Sequence, residues 1–165
     1  MKGFNAFPLA VVLALMLPSA TGVLAAAKQQ APEGYIILSE KEDGSGATCR
    51  LEVVTDYFNM QYHGCKDNKM SFFKLEDVPS TTRIKFYSNK DCLDDDRYND
   101  WIYEVRVYIE KTSTRFVSIE RELDTARQGD IIVKGVRMER RYYHGGNIKE
   151  KLSCVRIWKN DIVSP

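Results

Sequence analysis

Trp101-Ile102-Tyr103-Glu104-Val105-Arg106-Val107-Tyr108-Ile109 is the stretch on which the fold turns. Tyr103, Val105, Val107 and Ile109 fall on one side of an extended chain, and Glu104, Arg106 and Tyr108 on the other. That period of two residues belongs to a strand with one buried face. Outward from it the pattern recurs in shorter pieces. Toward the N-terminus, apolar or alternating runs at 35–39, 49–54, 57–62, 70–75 and 83–87 are parted by Asp43-Gly44-Ser45-Gly46, Thr55-Asp56 and Asp77-Val78-Pro79-Ser80. Toward the C-terminus, 116–119 is a natural partner for the central strand across Lys111-Thr112-Ser113. Residues 120–127 suit a helix or a polar loop, and Gln128-Gly129-Asp130 turns the chain into 131–133. The last pair, 136–143 and 148–158, is predicted to form a hairpin closed by His144-Gly145-Gly146-Asn147. Roughly nine strands without helical crossovers predict an all-β, antiparallel sandwich or barrel.

The chain opens Met1-Lys2, continues with an apolar run to Leu17 and leaves through small residues ending Ala25-Ala26-Ala27. A basic start, a short apolar centre and an Ala-x-Ala-like exit predict a cleaved export signal over 1–27, a leader over 28–34, and a single β-rich domain over 35–165. The apolar run is shorter than the ~20 residues that span a bilayer, so no membrane attachment is expected after cleavage, and the destination is periplasmic or secreted. The chain holds 24 Lys+Arg and 23 Asp+Glu; removing Lys2 leaves 23 of each, a net charge of 0. A neutral domain lacks the basic excess that phosphate binding needs, so nucleic acid is not expected as a partner.

The four cysteines, Cys49, Cys65, Cys92 and Cys154, all follow the signal. In an exported chain an even count reads as two disulfides with three possible pairings. Cys49 with Cys65, on neighbouring strands of a predicted hairpin, is preferred, which leaves Cys92 for Cys154. No Cys-x-x-Cys occurs, and neither His63 nor His144 is spaced from a cysteine like a zinc ligand.

Catalytic constellations are missing from the sequence. The two histidines flank glycine turns, there is no Gly-x-Ser-x-Gly elbow, and the thiols are committed to disulfides. The expectation is a non-enzyme. Two features suit binding instead. Asp94, Asp95 and Asp96 make an acidic loop that offers charge to a partner or oxygens to a cation. On 136–143, simple alternation puts Arg137, Glu139, Arg141 and Tyr143 on one face, and Arg with Tyr is a common interface pairing.

Asp67-Asn68-Lys69-Met70-Ser71-Phe72 resembles the calcium signature of the βγ-crystallin family, in which two Asp/Asn residues, two free positions, a Ser/Thr and a Ser close a loop. Ile36-Ile37-Leu38-Ser39-Glu40 with Gly46, and again Arg83-Ile84-Lys85-Phe86-Tyr87-Ser88-Asn89, are similar to that family's opening strand. Asn99-Asp100-Trp101-Ile102-Tyr103-Glu104 stands where the second signature is expected. Phe72, Tyr103 and Glu104 depart from the pattern. The resemblance spans roughly residues 35–109, as the turn signals delimit them. It implies a Greek-key sandwich of paired motifs with one calcium site at Asp67, Asn68 and Ser71, extended by the C-terminal hairpin.

These expectations converge on an exported, disulfide-braced binding protein. Its most concrete form is a periplasmic inhibitor or immunity protein that covers a secreted toxin or hydrolase, using Asp94, Asp95, Asp96, Arg137, Arg141 and Tyr143. The alternative is a structural domain stabilised by calcium.

Overall fold

The computed structural model describes residues 33–159; the predicted export signal over 1–27 and residues 28–32 of the predicted leader lie outside the described residues. Ten strands occur among them: β1 (Tyr35–Ser39), β2 (Thr48–Glu52), β3 (Asp56–Asn59), β4 (Phe72–Glu76), β5 (Arg83–Tyr87), β6 (Trp101–Val107), β7 (Val117–Ser118), β8 (Ile131–Val133), β9 (Val136–Tyr143) and β10 (Cys154–Trp158). Residues 120–127 begin as a single helical turn, Ile119–Leu123, started by Ser118 Oγ accepting from Arg121 N at 3.1 Å. No described helix is long and apolar enough to cross a membrane.

The strands build two antiparallel sheets, a first in the order β2-β1-β4-β7 and a second in the order β3-β10-β5-β6-β9-β8. Strands β1 to β4 make one key whose third strand, β3, crosses to the second sheet. Strands β5, β6, β7 and β10 make another, whose third strand, β7, crosses to the first. The exchange fuses two Greek keys around one core, and the β8-β9 hairpin is inserted between the third and fourth strands of the second key. Equivalent residues make equivalent bonds. Ser71 N donates to Ser39 O (2.9 Å) and Ser71 O accepts from Ile119 N (3.0 Å), while Ser153 N donates to Tyr87 O and Ser153 O accepts from Met60 N, both at 3.0 Å. Ser39 and Tyr87 end the first strands of their keys, and Met60 and Ile119 follow the third.

Alternation sends Ile36, Leu38, Phe73 and Leu75 inward from the first sheet, and Ile84, Phe86, Tyr103, Val105, Val155 and Ile157 inward from the second. Phe73 and Phe86 meet with ring centroids 4.8 Å apart across the sandwich. Each such side chain contributes about 1.5–3 kcal/mol by leaving water. Disulfides join Cys49 to Cys65 and Cys92 to Cys154, with Cα atoms 5.2 and 5.5 Å apart, which suits an oxidising compartment. The preferred pairing is the one observed, although the reason given for it fails. β2 and β3 are in different sheets, and Thr55-Asp56 carries the chain across the core rather than closing a hairpin.

Three further strand expectations are corrected. Strand β7 pairs with β4, not with β6. The predicted hairpin of 136–143 with 148–158 does not form: β9 lies between β6 and β8, and β10 between β5 and β3. The Gly-Gly turn reverses the chain locally, but Val155 and Ile157 must fill the core to close the second key. The actual hairpin partner of β9 is β8, joined through the two-residue turn Lys134-Gly135. Finally, a bulge opposite Glu104/Val105 resets the alternation of β9. Arg137 pairs with Arg106 and Arg140 with Glu104 on the outer face, whereas Arg141 pairs with the core residue Tyr103. Arg137 therefore does not share a face with Arg141 and Tyr143.

Gly135 offers a check of this hairpin. Its φ is +91°, and a Cβ there would sit 2.6 Å from Thr112 Oγ1 and 2.8 Å from Thr112 Cγ2. Thr112 is buried and held by Val78 on both backbone sides. Gly129 has φ +92° and nothing near its Cβ position. Both alanine substitutions incur about 1–2 kcal/mol of backbone strain. Gly135→Ala should lose a further ~1–3 kcal/mol to overpacking, seen as a lower urea midpoint. Equal midpoints for the two variants would contradict the close approach.

Candidate interaction surface

Positions that alternate with the core residues of the second sheet form its outer face, and cross-strand register sorts them into rows. One row runs Tyr57, Arg156, Lys85, Glu104, Arg140 from β3 to β9; beside it lies Trp158, Arg83, Arg106, Arg137. The indole of Trp158 collects cations: Arg156 Cζ lies 4.2 Å from the ring centroid, Lys85 Nζ 5.1 Å and Arg83 Cζ 5.3 Å. Arg156 also lies 5.8 Å from the Tyr57 ring. Such contacts fix guanidinium groups over aromatic surface and leave their outer N–H donors free to bond elsewhere.

Carboxylates sit beneath this layer. Glu104 contacts Arg83 NH1 at 3.4 Å and Lys85 Nζ at 3.3 Å. Glu139 bonds Arg137 Nε at 2.9 Å and lies 3.6 Å from Arg106 Nε, which is buried without an acceptor in hydrogen-bond range. The side chain of Glu104 is 10% exposed, against 39% for Arg83, 36% for Arg106 and 41% for Arg137. Around Glu104 and Glu139 a molecule approaching the face meets arginine and aromatic groups with the anions that order them underneath; toward Arg140 and Arg156 it also meets Asp94 and Asp96.

The far end of the face is covered by the loop between β5 and β6. The Cys92–Cys154 disulfide pins it over Tyr87 and Ile102, which with the two cysteines and Tyr142 form a second small apolar cluster. The acidic loop is folded back rather than offered outward. Asp94 accepts from Lys85 Nζ at 2.7 Å and Tyr87 Oη at 3.2 Å, with Arg156 NH1 3.7 Å away. Burial raises the Asp94 carboxyl, but the bond and charge of Lys85 outweigh it and hold the group below the usual carboxylate range. Asp96 pairs with Arg140 NH2 at 2.7 Å and accepts from Tyr142 Oη through its carbonyl. Asp95 caps the turn at Asp96–Tyr98 and is held at about 2 by its bonds to the Arg97 side chain and backbone.

Of the other predicted contact residues, Arg137 lies on the arginine face. Arg141 does not: its guanidinium bonds Asp124, with Oδ1 2.7 Å from NH2, and Asp124 also accepts from Tyr103 Oη at 2.8 Å. Tyr143 Oη donates to Gly146 O at the end of β9. The structure adds Trp158, Tyr57, Arg83, Arg106 and Arg156, which sequence reasoning passed over. They come from β3, β5, β6 and β10, and the pairing of β10 with β3 and β5 that sets them side by side joins strands far apart in the chain.

The calcium signature falls partly where expected. Asp67–Phe72 leads into β4, and Asn68 takes φ +53°. Asp67 Oδ2 accepts from Asn68 Nδ2 at 3.1 Å, while Asp67 Oδ1 is buried without a partner. The second signature is misplaced. Asn99 and Asp100 belong to the β5-β6 turn, where Ser88 Oγ accepts from Asp100 N and Trp101 N, as Glu40 accepts from Ala47 N in the first key. The true counterpart of 67–72 leads into β10 and reads Lys149-Glu150-Lys151-Leu152-Ser153-Cys154. Calcium wants six to eight oxygens, and no group of three or more His, Cys, Asp or Glu among the described residues converges as a metal site. At the signature itself Asp67 Oδ1 is without a partner, while Asn68 Oδ1 accepts from Ser153 Oγ and Ser71 Oγ accepts from Glu150 N, so two of the three expected ligands are already engaged within the protein.

His63 packs edge-on to Phe58, 5.1 Å between centroids, beside a cleft shared with Tyr57, Tyr62 and Asp91. His144 lies by a separate cleft with Tyr98 and Tyr142.

No family model matches the chain, and no curated protein matches it. Among solved structures it is similar to the N-terminal domain of protein S, at 13% identity and a TM-score of 0.38, over 76% of this chain and 97% of that one. The Greek-key assignment rests on the strand order and the paired bonds of Ser71 and Ser153.

Proposed function

We propose that this chain is an exported, non-enzymatic binding protein of crystallin-like build, which inhibits a secreted toxin or hydrolase by laying the outer face of its second sheet against an acidic surface of the target. The observation that carries the reading is the arginine and aromatic layer over Glu104 and Glu139. Trp, Tyr and Arg dominate the energetics of protein interfaces. Here they lie on a sheet braced by a disulfide, so little ordering is lost on docking. Occlusion needs no reactive group, in keeping with a sequence that offers none.

The test begins with capture of a target from the host's secreted proteins by the processed domain, followed by assay of the captured enzyme. The domain should lower its activity at stoichiometric ratio. Trp158→Ala with Arg156→Ala should weaken binding at least ~30-fold, the size of one interface hot spot. Arg50→Ala, on the first sheet, should change affinity by less than about threefold, as for a contact outside the interface. Capture of nothing, or equal binding by all three proteins, would end this reading. So would a hydrolytic activity of the domain that disappears on substituting His63 or His144.

A further inference from the structure

The loops that enter β4 and β10 occupy equivalent places in the two keys. Met70 and Leu152 are both fully buried, Ser71 and Ser153 are both nearly so, and Asn68 and Glu150 both take left-handed backbone, with φ +53° and +57°. Non-glycine residues adopt that conformation at a cost, so its appearance at matched positions marks a shared loop geometry.

We infer that this pair of loops, which the crystallin resemblance makes a cation site, is instead a metal-free clasp between the keys. Each serine hydroxyl crosses to the other loop: Ser71 Oγ accepts from Glu150 N at 3.0 Å, and Ser153 Oγ donates to Asn68 Oδ1 at 3.3 Å. Lys69 Nζ faces Glu150 Oε2 at 3.9 Å along the same seam. In the second loop Lys149 stands where the first has Asp67, so that loop lacks the carboxylate that would serve a cation.

The balance of ligands decides between clasp and ion. A divalent cation at the first loop would gain Asp67 Oδ1, the one orphaned oxygen. To use Asn68 Oδ1 and Ser71 Oγ as well, it would compete with two formed hydrogen bonds, and it would sit near Lys69. Of the side-chain oxygens in the signature only Asp67 Oδ1 is uncommitted, so most of the six to eight ligands calcium takes would have to come from backbone carbonyls and water. The clasp makes the same connection with groups already in the chain, and two partly buried hydrogen bonds are not screened by salt as a surface ion pair is.

The experiment is thermal unfolding of the processed domain in excess EGTA and in 5 mM calcium, a concentration that would saturate a weak site. The wild-type melting temperature should agree within about 1 °C between the two, since an ion that does not bind the native state cannot shift it. Terbium luminescence sensitised by the protein should stay at its buffer value. Ser71→Ala with Ser153→Ala should lower the melting temperature by about 5–10 °C, the expected size for two broken bonds in a domain of this length. That loss should be equal with and without calcium. A wild-type rise of several degrees in calcium, or terbium binding, would overturn the inference. So would a serine variant that melts like the wild type, or one whose loss appears only when calcium is present. The wild-type comparison stands alone if the double variant does not fold, and it is independent of whether any protein target is found.

Discussion

Replacing Cys92 and Cys154 by alanine should destabilise the domain by about 4 kcal/mol, against about 3 kcal/mol for the Cys49 and Cys65 pair. The two bridges close sequence separations of 62 and 16 residues, and the longer closure removes more freedom from the unfolded chain. Native packing adds to the same difference. Cys154 and Cys92 are 1% and 7% exposed and belong to the cluster that Tyr87, Ile102 and Tyr142 complete. Without the bridge, the β5-β6 loop keeps Asp94 on Lys85 only through polar contacts, and the arginine face loses its cover at that end. At roughly 3–5 °C per kcal/mol for a domain of this length, the melting temperature should fall by more than ~10 °C. The measurement is urea unfolding of both double variants beside the wild type. A smaller loss for the long bridge than for the short one would show that the outer loop holds itself in place and that the bridge adds little.

The same bridge shows what was legible in the chain and what was not. Local pattern found nearly every strand, because alternation and turn residues act over a few positions. Strand β5 at 83–87 and strand β9 at 136–143 have the bounds read from sequence. Pairing was less visible, since it depends on which apolar faces the core accepts. Lys134-Gly135 and His144-Gly145-Gly146-Asn147 both look like hairpin turns, and only the first is one. The bulge on β9 carries no distinctive residue, yet it moves Arg140 and Tyr142 to the face that holds Arg137. The acidic loop is legible as a cluster but its pairing is not, because its partners Lys85, Arg140 and Arg156 come from three different strands. Spacing puts the counterpart of 67–72 near Asn99, whereas it follows the inserted β8-β9 hairpin, a length no local pattern announces. What was legible at the site was composition, the abundance of arginine and tyrosine. What was not was the sheet order that turns composition into a surface.

Stability should fall steeply above pH 10, through two tyrosines on neighbouring strands and opposite faces of the second sheet. Tyr87 and Tyr103 are both 0% exposed. Burial is the main reason that each phenol ionises well above its ordinary value. For Tyr87 the charge of Asp94 and the hydrogen bond to it push the same way, and for Tyr103 the bond to Asp124 does; Arg156 and Arg141 oppose without prevailing. In the unfolded chain both rings titrate near pH 10. Their folded values are raised, so the stability they contribute is complete below pH 10. Between the unfolded and folded values the unfolded state has already released its protons and the native state has not. The slope is then negative, about 1.4 kcal/mol per pH unit for each ring. By pH 11.5 the pair should have removed about 4 kcal/mol. Urea unfolding at pH 8, 10, 11 and 11.5 gives the slope directly. Tyr87→Phe with Tyr103→Phe should start from a lower stability at pH 8, having lost two hydrogen bonds, and then decline more gently than the wild type, so that the two curves converge. Parallel curves would mean that these phenols titrate in the native state as they do in the unfolded one, and that neither the cover over Tyr87 nor the Asp124 bond at Tyr103 excludes water from the ring oxygen.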